Sequence, residues 1–260
     1  MNIAVIGTGY VGLVSGTCFA DSGNNVICVD NNLEKLNQLR EGNIPIYEPG
    51  LETLFHRSVR EERLHFTSDL QDAVHQSDVI FFCLPTPPGA DGQADLSFVL
   101  DVAEQVGGII KNYKVIVNKS TVPVGTADRV RETIAAQTDV EFDVVSNPEF
   151  LREGAALDDF LKPERVIIGS SSEKATEIMV ELYEPFVRSG NPIITMDERS
   201  AEITKYAANA FLATKITFMN EVANICERVG ANVDNIRKGI GTDSRIGPKY
   251  LKGGLGFGGP

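Results

Sequence analysis

Two acidic residues four apart, Glu149 and Glu153, stand in the run Asn147-Pro-Glu-Phe-Leu-Arg-Glu-Gly154. If one turn of helix forms there, both carboxylates lie on the same side. Like charges at that range resist ionising together, which suits one of them to act as a general base. An exposed pair of glutamates with no chemical role is the competing reading of the same two residues. Lys205 and Asn209 repeat the spacing of four in a stripe that is otherwise apolar. A lysine so placed must reach water, be paired, or act on a ligand. Beside an amide, its charge can stabilise a developing oxyanion or hold an ordered water. On the residues alone, structural and functional readings of this pair stand level. Thr121 lies at the end of a strand, where its hydroxyl either orients a ligand or caps the following turn.

These residues need a scaffold, and the N-terminal thirty residues announce one. The apolar run Asn2-Ile-Ala-Val-Ile6 leads straight into Gly7-Thr-Gly9-Tyr-Val-Gly12 and then into a helical pattern over 11–22. A break at Gly23-Asn24-Asn25 precedes a second apolar strand, Val26-Ile-Cys-Val29, which ends on Asp30, 18 residues after the last glycine. A glycine-rich run alone is a weak signal; between strand and helix, with an acid at that distance, it predicts a dinucleotide site. Gly7 permits the tight turn, Gly9 lets a pyrophosphate approach, and Gly12 with Gly16 lets the helix pack on the sheet. The helix N-terminus then faces the phosphates with free N–H groups and a positive dipole end. Asp30 accepts from both adenosine ribose hydroxyls and repels a 2′-phosphate, so the expected cofactor is NAD rather than NADP. A glycine-rich turn without any ligand is the reading to be beaten.

Composition narrows the rest. The 260 residues are 42% hydrophobic and 23% charged, with a formal charge of −12. That charge argues against nucleic acid and anionic membranes as partners. No apolar run approaches the length of a membrane span, and the N-terminus has no basic region or cleavage site of a signal peptide. Cys18, Cys28, Cys83 and Cys226 fall on apolar segments without paired spacing, which predicts buried thiols in a reducing, cytoplasmic setting. The histidines His56, His65 and His75 lie in a polar stretch away from the glycine-rich segments, so no metal site is expected.

Further along, helical patterns cover 33–41 and 51–62, and a short strand covers 64–67. Thr67 or Ser68 is positioned to cap the next helix. Strands over 79–83, 115–117, 142–145, 166–169 and 192–195 alternate with helices over 96–110, 126–136 and 173–187. Such alternation predicts an α/β fold, a doubly wound parallel sheet of the Rossmann type. Ligands in such sheets sit beyond the carboxyl ends of the strands, which selects the loops 7–12, 85–88, 120–125 and 147–154.

Residues 199–229 contain neither glycine nor proline, enough for a helix of roughly 46 Å. One stripe runs Ile203, Ala207, Phe211, Thr214, Phe218, Val222, Ile225, Val229. A second runs Lys205, Asn209, Leu212, Ile216, Met219, Ala223, Cys226. A helix apolar on two faces is expected to be buried on both, as a spine between domains and part of a homodimer interface. The expected division is therefore a NAD-binding domain over 1–198, then the central helix and the start of a helical dimerisation domain over 199–260. The segment 235–260 holds five basic residues, one acid and eight glycines. It reads either as a loop closing on an anionic ligand or as a solvated tail.

The chain resembles the nucleotide-sugar dehydrogenases over its whole length. The residues that carry the resemblance are Gly7-Thr-Gly-Tyr-Val-Gly12, Lys119-Ser-Thr-Val-Pro-Val-Gly-Thr126 and Ser146-Asn-Pro-Glu-Phe-Leu-Arg-Glu-Gly154, followed by Lys205-Tyr-Ala-Ala-Asn209, Asp243-Ser-Arg-Ile-Gly247 and Gly256-Phe-Gly-Gly259. The segments 150–154 and 247–251 are most similar to the UDP-glucose branch. GDP-mannose and UDP-N-acetylhexosamine dehydrogenases are the alternatives. The resemblance implies oxidation of the sugar's C6 primary alcohol to a carboxylate, giving UDP-glucuronate, with NAD in two successive hydride transfers. A cysteine adds to the intermediate aldehyde as a thiohemiacetal, which becomes a thioester and is hydrolysed.

By matching, Gly7, Gly9, Tyr10, Val11, Gly12, Asp30, Lys35, Thr86, Thr121 and Glu153 are NAD contacts. Glu149 is the general base, with Thr121 beside the reacting centre, and Lys205 and Asn209 stabilise the oxyanion. Substrate contacts comprise Glu149, Phe150, Leu151, Arg152 and Glu153, with Lys205 and Asn209, then Tyr250, Leu251, Lys252, Gly253, Gly254 and Gly258. Arg245 is offered to the neighbouring subunit's substrate. In the family the nucleophilic cysteine follows a run like Gly256–Gly259, so it is expected just after Pro260. A C-terminal nucleotide-binding domain is likewise expected beyond these residues. The chain accordingly reads as an N-terminal portion that binds NAD without turning over, or as a non-catalytic NAD-binding and dimerisation module.

Overall fold

Runs of β-branched and aromatic residues bounded by glycine, proline and polar residues suit a pleated surface covered on both faces. Among the described residues eight such runs form one sheet: β1 (Asn2–Ile6), β2 (Asn25–Val29), β3 (Leu64–Thr67), β4 (Val79–Phe82), β5 (Lys114–Asn118), β6 (Phe142–Ser146), β7 (Val166–Gly169) and β8 (Ile193–Met196). The computed structural model describes residues 1–90, 92–187 and 190–255. Strand order is β3-β2-β1-β4-β5-β6-β7-β8. The chain steps outward from β1 to β3, then returns to lay β4 on the other side of β1. That reversal makes the crevice beyond β1 and β4 the switch point where such sheets bind ligands.

Pairing is parallel from β3 through to β6. β7 then meets β6 antiparallel through Ser146 and Gly169, and β8 runs parallel to β7. The expected parallel sheet thus ends in a reversed pair. The segment 147–165 brings β7 back alongside β6 in the opposite direction.

Alternate residues of each strand feed two cores. On one face Ile3, Val5, Phe81 and Val117 pack with Leu13, Val14 and Phe19 of α1 (Tyr10–Asp21), Phe55 of α3 (Leu51–Arg60), Phe160 of α7 (Ala156–Leu161) and Leu182 of α8 (Glu173–Tyr183). On the other face Ala4, Ile6, Ile80, Phe82 and Ile116 pack with Val99 and Val106 of α5 (Ser97–Ile109) and Val130 and Ile134 of α6 (Thr126–Ala135). α2 (Leu33–Arg40) joins the first face through Leu36 and Leu39, and α4 (Leu70–Gln76) joins the second through Ala73 and Val74. Phe19 centres an aromatic cluster, with ring centroids 5.0 Å from Phe81 and 5.1 Å from Phe160.

Caps follow short acceptors, with one change from expectation. Asn32 accepts from Lys35 N–H at the start of α2, and Ser172 from Ala175 N–H at the start of α8. At α4 the cap is Asp69, which accepts from Asp72 N–H, while Thr67 accepts from the Asp69 N–H one step earlier. The helix expected to reach 187 ends at Tyr183 and tightens into a 3₁₀ turn, Glu184–Phe186. Pro185 lacks the N–H that would continue the α-helix.

The long helix forms as α9 (Glu198–Val229), and a further helix, α10 (Val233–Gly241), follows it. Contacts divide the chain into two units, 1–203 and 204–260, so the first turn and a half of α9 belongs to the first unit. Within that unit Glu198 bonds Arg131 and Ser171, and Glu202 accepts from Gly125 and Ala127 N–H at 2.6 and 2.8 Å. Of the two stripes of α9, the second is buried, at Lys205, Met219 and Cys226. In the single chain the first stripe is exposed at Phe211, Phe218, Ile225 and Val229. α10 runs from Val233 into the segment 235–260 expected to be loop or tail. Its Gly239 and Gly241 hid it, and Asn232 caps it by accepting from Asp234 and Asn235 N–H.

Candidate active site at the strand ends

Gly7 is held at φ +96 after β1 and its N–H donates to Val29 O at 2.8 Å. A Cβ there would stand 2.4 Å from Cys83 O, and one on Gly12 would stand 1.9 Å from Gly7 O. Both positions therefore accept only glycine. Gly9 differs: a Cβ would meet nothing within 4 Å, and Gly9 is the N-cap of α1 without any side-chain cap. An open backbone at an uncapped helix N-terminus is a cradle for a phosphate.

Asp30 closes β2 beside this turn. Its Oδ2 accepts from Thr8 N–H at 2.9 Å, Thr8 Oγ1 at 2.6 Å and Lys35 Nζ at 2.6 Å, and its Oδ1 accepts from Asn32 N–H at 3.0 Å. Burial opposes the charge, but the bonds from Lys35, Thr8 and Asn32 outweigh it and hold the carboxyl at about 2. The ion pair with Lys35 was not evident from the spacing. It engages Oδ2 with the chain's own donors and leaves Oδ1 with the smaller share. The open cradle, the bare helix end and this ionised carboxylate fit a dinucleotide.

Two neighbouring loops are stitched together. Thr86 Oγ1 donates to Thr121 O at 2.9 Å, and Ser120 Oγ bridges Leu84 N–H and Leu84 O at 2.9 and 2.7 Å. After β6, residues 147–152 form no helix, so Glu149 and Glu153 do not share a helical face. Instead the Glu149 side chain folds back, its Oε2 accepting from Leu151 N–H at 2.6 Å. Glu149 is half-buried and Glu153 exposed. The backbone needs Gly154 at φ +81 before α7. Phe150 lies under the Arg165 guanidinium, 4.0 Å from the ring centroid. Arg152, expected against substrate, is bound to Asp159 through its backbone N–H and through Nε and Nη2 of its guanidinium.

Sequence reasoning missed Glu48. Its buried carboxylate accepts from the Tyr10 hydroxyl, from Gly154 N–H at 2.9 Å and from Leu157 N–H at 3.3 Å. It therefore ties the glycine turn to the 150–154 loop. The only signal was an acid between Tyr47 and Pro49 in a loop. Burial, then the Glu48 hydrogen bond, raises the Tyr10 phenol well above its usual range.

In the second unit Lys205 is buried and Asn209 half-buried, one helical turn apart on α9. Arg245 pairs with Asp243. Tyr250 takes a left-handed φ of +61, Leu251 is buried and Lys252 exposed. Asn220 holds the glycine segment by accepting from Gly254 N–H and donating to Gly254 O, both at 2.8 Å. A Cβ on Gly253 would come within 2.7 Å of Asn220 Oδ1. Gly258 lies outside the described residues. Among those described, no helix is long and apolar enough to cross a membrane.

Fold and site together define a Rossmann-type NAD-binding domain continued by a helical segment. Residues 1–187 match the model of the UDP-glucose/GDP-mannose dehydrogenase family NAD binding domain, and residues 199–260 match that family's central domain. The chain belongs to the UDP-glucose/GDP-mannose dehydrogenase family. It is 55% identical over 259 residues to UDP-glucose 6-dehydrogenase TuaD of Bacillus subtilis, covering 99% of this chain and 56% of the relative. It is 51% identical to UDP-glucose 6-dehydrogenase of Rhizobium meliloti, covering all of this chain and 60% of the relative. Among solved structures it is similar to a UDP-glucose dehydrogenase from Pyrobaculum islandicum, with TM-score 0.94, 42% identity, and 99% and 60% of the two chains covered. The chain thus spans somewhat over half the length of these relatives.

Proposed function

We propose that the protein containing these residues oxidises the C6 primary alcohol of UDP-glucose to the carboxylate, giving UDP-glucuronate, with NAD as oxidant in two successive steps. The observation that carries this reading is the gathering of the glycine turn, the Thr86 and Thr121 loops and the Glu149 carboxylate at one sheet edge. The naming of the substrate leans on relatives more than half identical to this chain that are called UDP-glucose 6-dehydrogenase.

When bound, NAD accepts the hydride. Glu149, steadied by Leu151 N–H, serves as the base that takes a proton from the reacting hydroxyl or from the hydrolytic water. Lys205 and Asn209 present an ammonium and an amide one turn apart, a pair of donors suited to an oxyanion. Thr121 orients the groups beside the reacting carbon. Phe150 to Glu153, Tyr250 to Gly254 and Gly258 contact the sugar nucleotide, and Arg245 reaches the neighbouring subunit's substrate.

The thioester step needs an accessible thiolate. Burial pushes Cys83 up to about 12 and Cys18 and Cys28 higher still, and Cys226 is buried. This reading therefore takes the nucleophile from a cysteine following Pro260. It also pairs α9 with a second copy of the chain. Phe211, Phe218 and Ile225, exposed and seven apart, give the repeat with which a helix packs on its own copy. Four free, buried cysteines suit a reducing cytoplasm.

The test is NADH formation by the full-length protein with UDP-glucose, GDP-mannose and UDP-N-acetylhexosamines. Preference for UDP-glucose supports the proposal, and preference for either competitor overturns the substrate.

A further inference from the structure

Lys119 follows β5 with its side chain buried on the α1 and α7 face of the sheet. Nζ donates to Asn147 Oδ1 and to the Tyr183 hydroxyl, each at 3.1 Å, and lies 5.6 Å from the ring centroids of Phe160 and Tyr183. Among the described residues no carboxylate stands within ion-pair distance of it. Burial pushes its pKa down, against the pull of Cys83, Glu149 and Cys18. An ammonium in such a slot is costly, and an apolar side chain of similar volume fills it more cheaply. Its presence there points to a task.

That task is visible in Asn147, whose side-chain amide and backbone N–H are all engaged. Oδ1 accepts from Lys119 and, at 2.6 Å, from Tyr183, while Nδ2 donates to Ile167 O at 2.8 Å. The Asn147 N–H donates to Asn118 O at 2.8 Å. Pro148 comes next, with its φ fixed by the ring, and Glu149 follows. Little freedom remains between the locked amide and the carboxylate.

We infer that Lys119 is a positioning residue for Glu149, acting through Asn147. The inference rests on the reading of Glu149 as the general base. Leu151 N–H, bound to Glu149 Oε2, reports the result directly, without turnover. Amide exchange measured by NMR on Lys119→Met is expected to be at least tenfold faster at Leu151. Rates at Thr8 and Ala127, whose N–H groups are held by Asp30 and Glu202, are expected to stay unchanged. Asn147→Ala should release Leu151 to the same extent, and it decides the matter if the methionine variant does not accumulate. Unchanged exchange at Leu151, or a rise shared by all three amides, overturns the inference. Glu149→Gln in the full-length protein separates the two ideas. Retained turnover there sinks the general base, whereas an unmoved Leu151 in Lys119→Met sinks the positioning role alone.

Discussion

The carboxylate of Glu48 accepts a hydrogen bond from the backbone N–H of Gly154 at 2.9 Å, across 106 positions of sequence. The same oxygen accepts from the Tyr10 hydroxyl, so the glycine turn and the loop after β6 share one buried acceptor. Glu48→Ala leaves Tyr10, Gly154 and Leu157 donors without their partner. The expected loss is about 2–4 kcal/mol of stability, read as a lowered urea midpoint. Glu48→Gln, which keeps an acceptor, should lose about half as much.

Glycines of one motif should fail in different ways. Gly12→Ala drives a methyl into Gly7 O and is expected to cost about 3 kcal/mol as well as cofactor affinity. Gly9→Ala meets open space, so its melting temperature should stay within a degree or two of the parent's while NAD affinity falls roughly tenfold, about 1.4 kcal/mol. Calorimetric titration and thermal melts on both variants check the contrast. Equal melting temperatures for the two would contradict it.

Asp30 carries a pH signature. Its folded pKa of about 2 lies below the usual 3.8, so its contribution is full above about pH 4 and is lost as pH falls toward 2. The amount is about 1–2 kcal/mol. Asp30→Asn should flatten the acid limb of stability over that window and weaken NAD more than NADP. An unchanged acid limb would remove the Lys35 pairing from the account, and an unchanged cofactor preference would remove the ribose contact.

The exposed stripe of α9 predicts association. Phe211→Asp with Phe218→Asp should convert a dimer to monomer in analytical ultracentrifugation while leaving the NAD-binding unit folded. A parent chain already monomeric at high concentration would contradict the pairing.

Much of the fold was legible because short apolar runs alternate with helical patterns, and because Gly7, Gly9 and Gly12 stand between strand and helix. Elements that escaped did so for local reasons. α7 is six residues long, and α10 is threaded with glycine and lysine. The reversal of β7 depends on how the chain crosses from β6, which no periodicity records. Glu149, Lys205 and Asn209 stood out as residue types, but the spacing of Glu149 and Glu153 did not carry over, since residues 147–152 form no helix. The supporting residues did not stand out. Glu48, Lys119 and Glu202 are buried charged groups whose partners lie tens of residues away, and sequence shows such residues as ordinary surface charges.

The most direct measurement of the central claim is the stoichiometry and specificity of NADH formation by the full-length protein, with Glu149→Gln as the paired variant. The account predicts two NADH for each UDP-glucuronate released, preference for UDP-glucose, and turnover reduced at least a hundredfold in the variant. One NADH per sugar, preference for another nucleotide sugar, or an undiminished Glu149→Gln would contradict it.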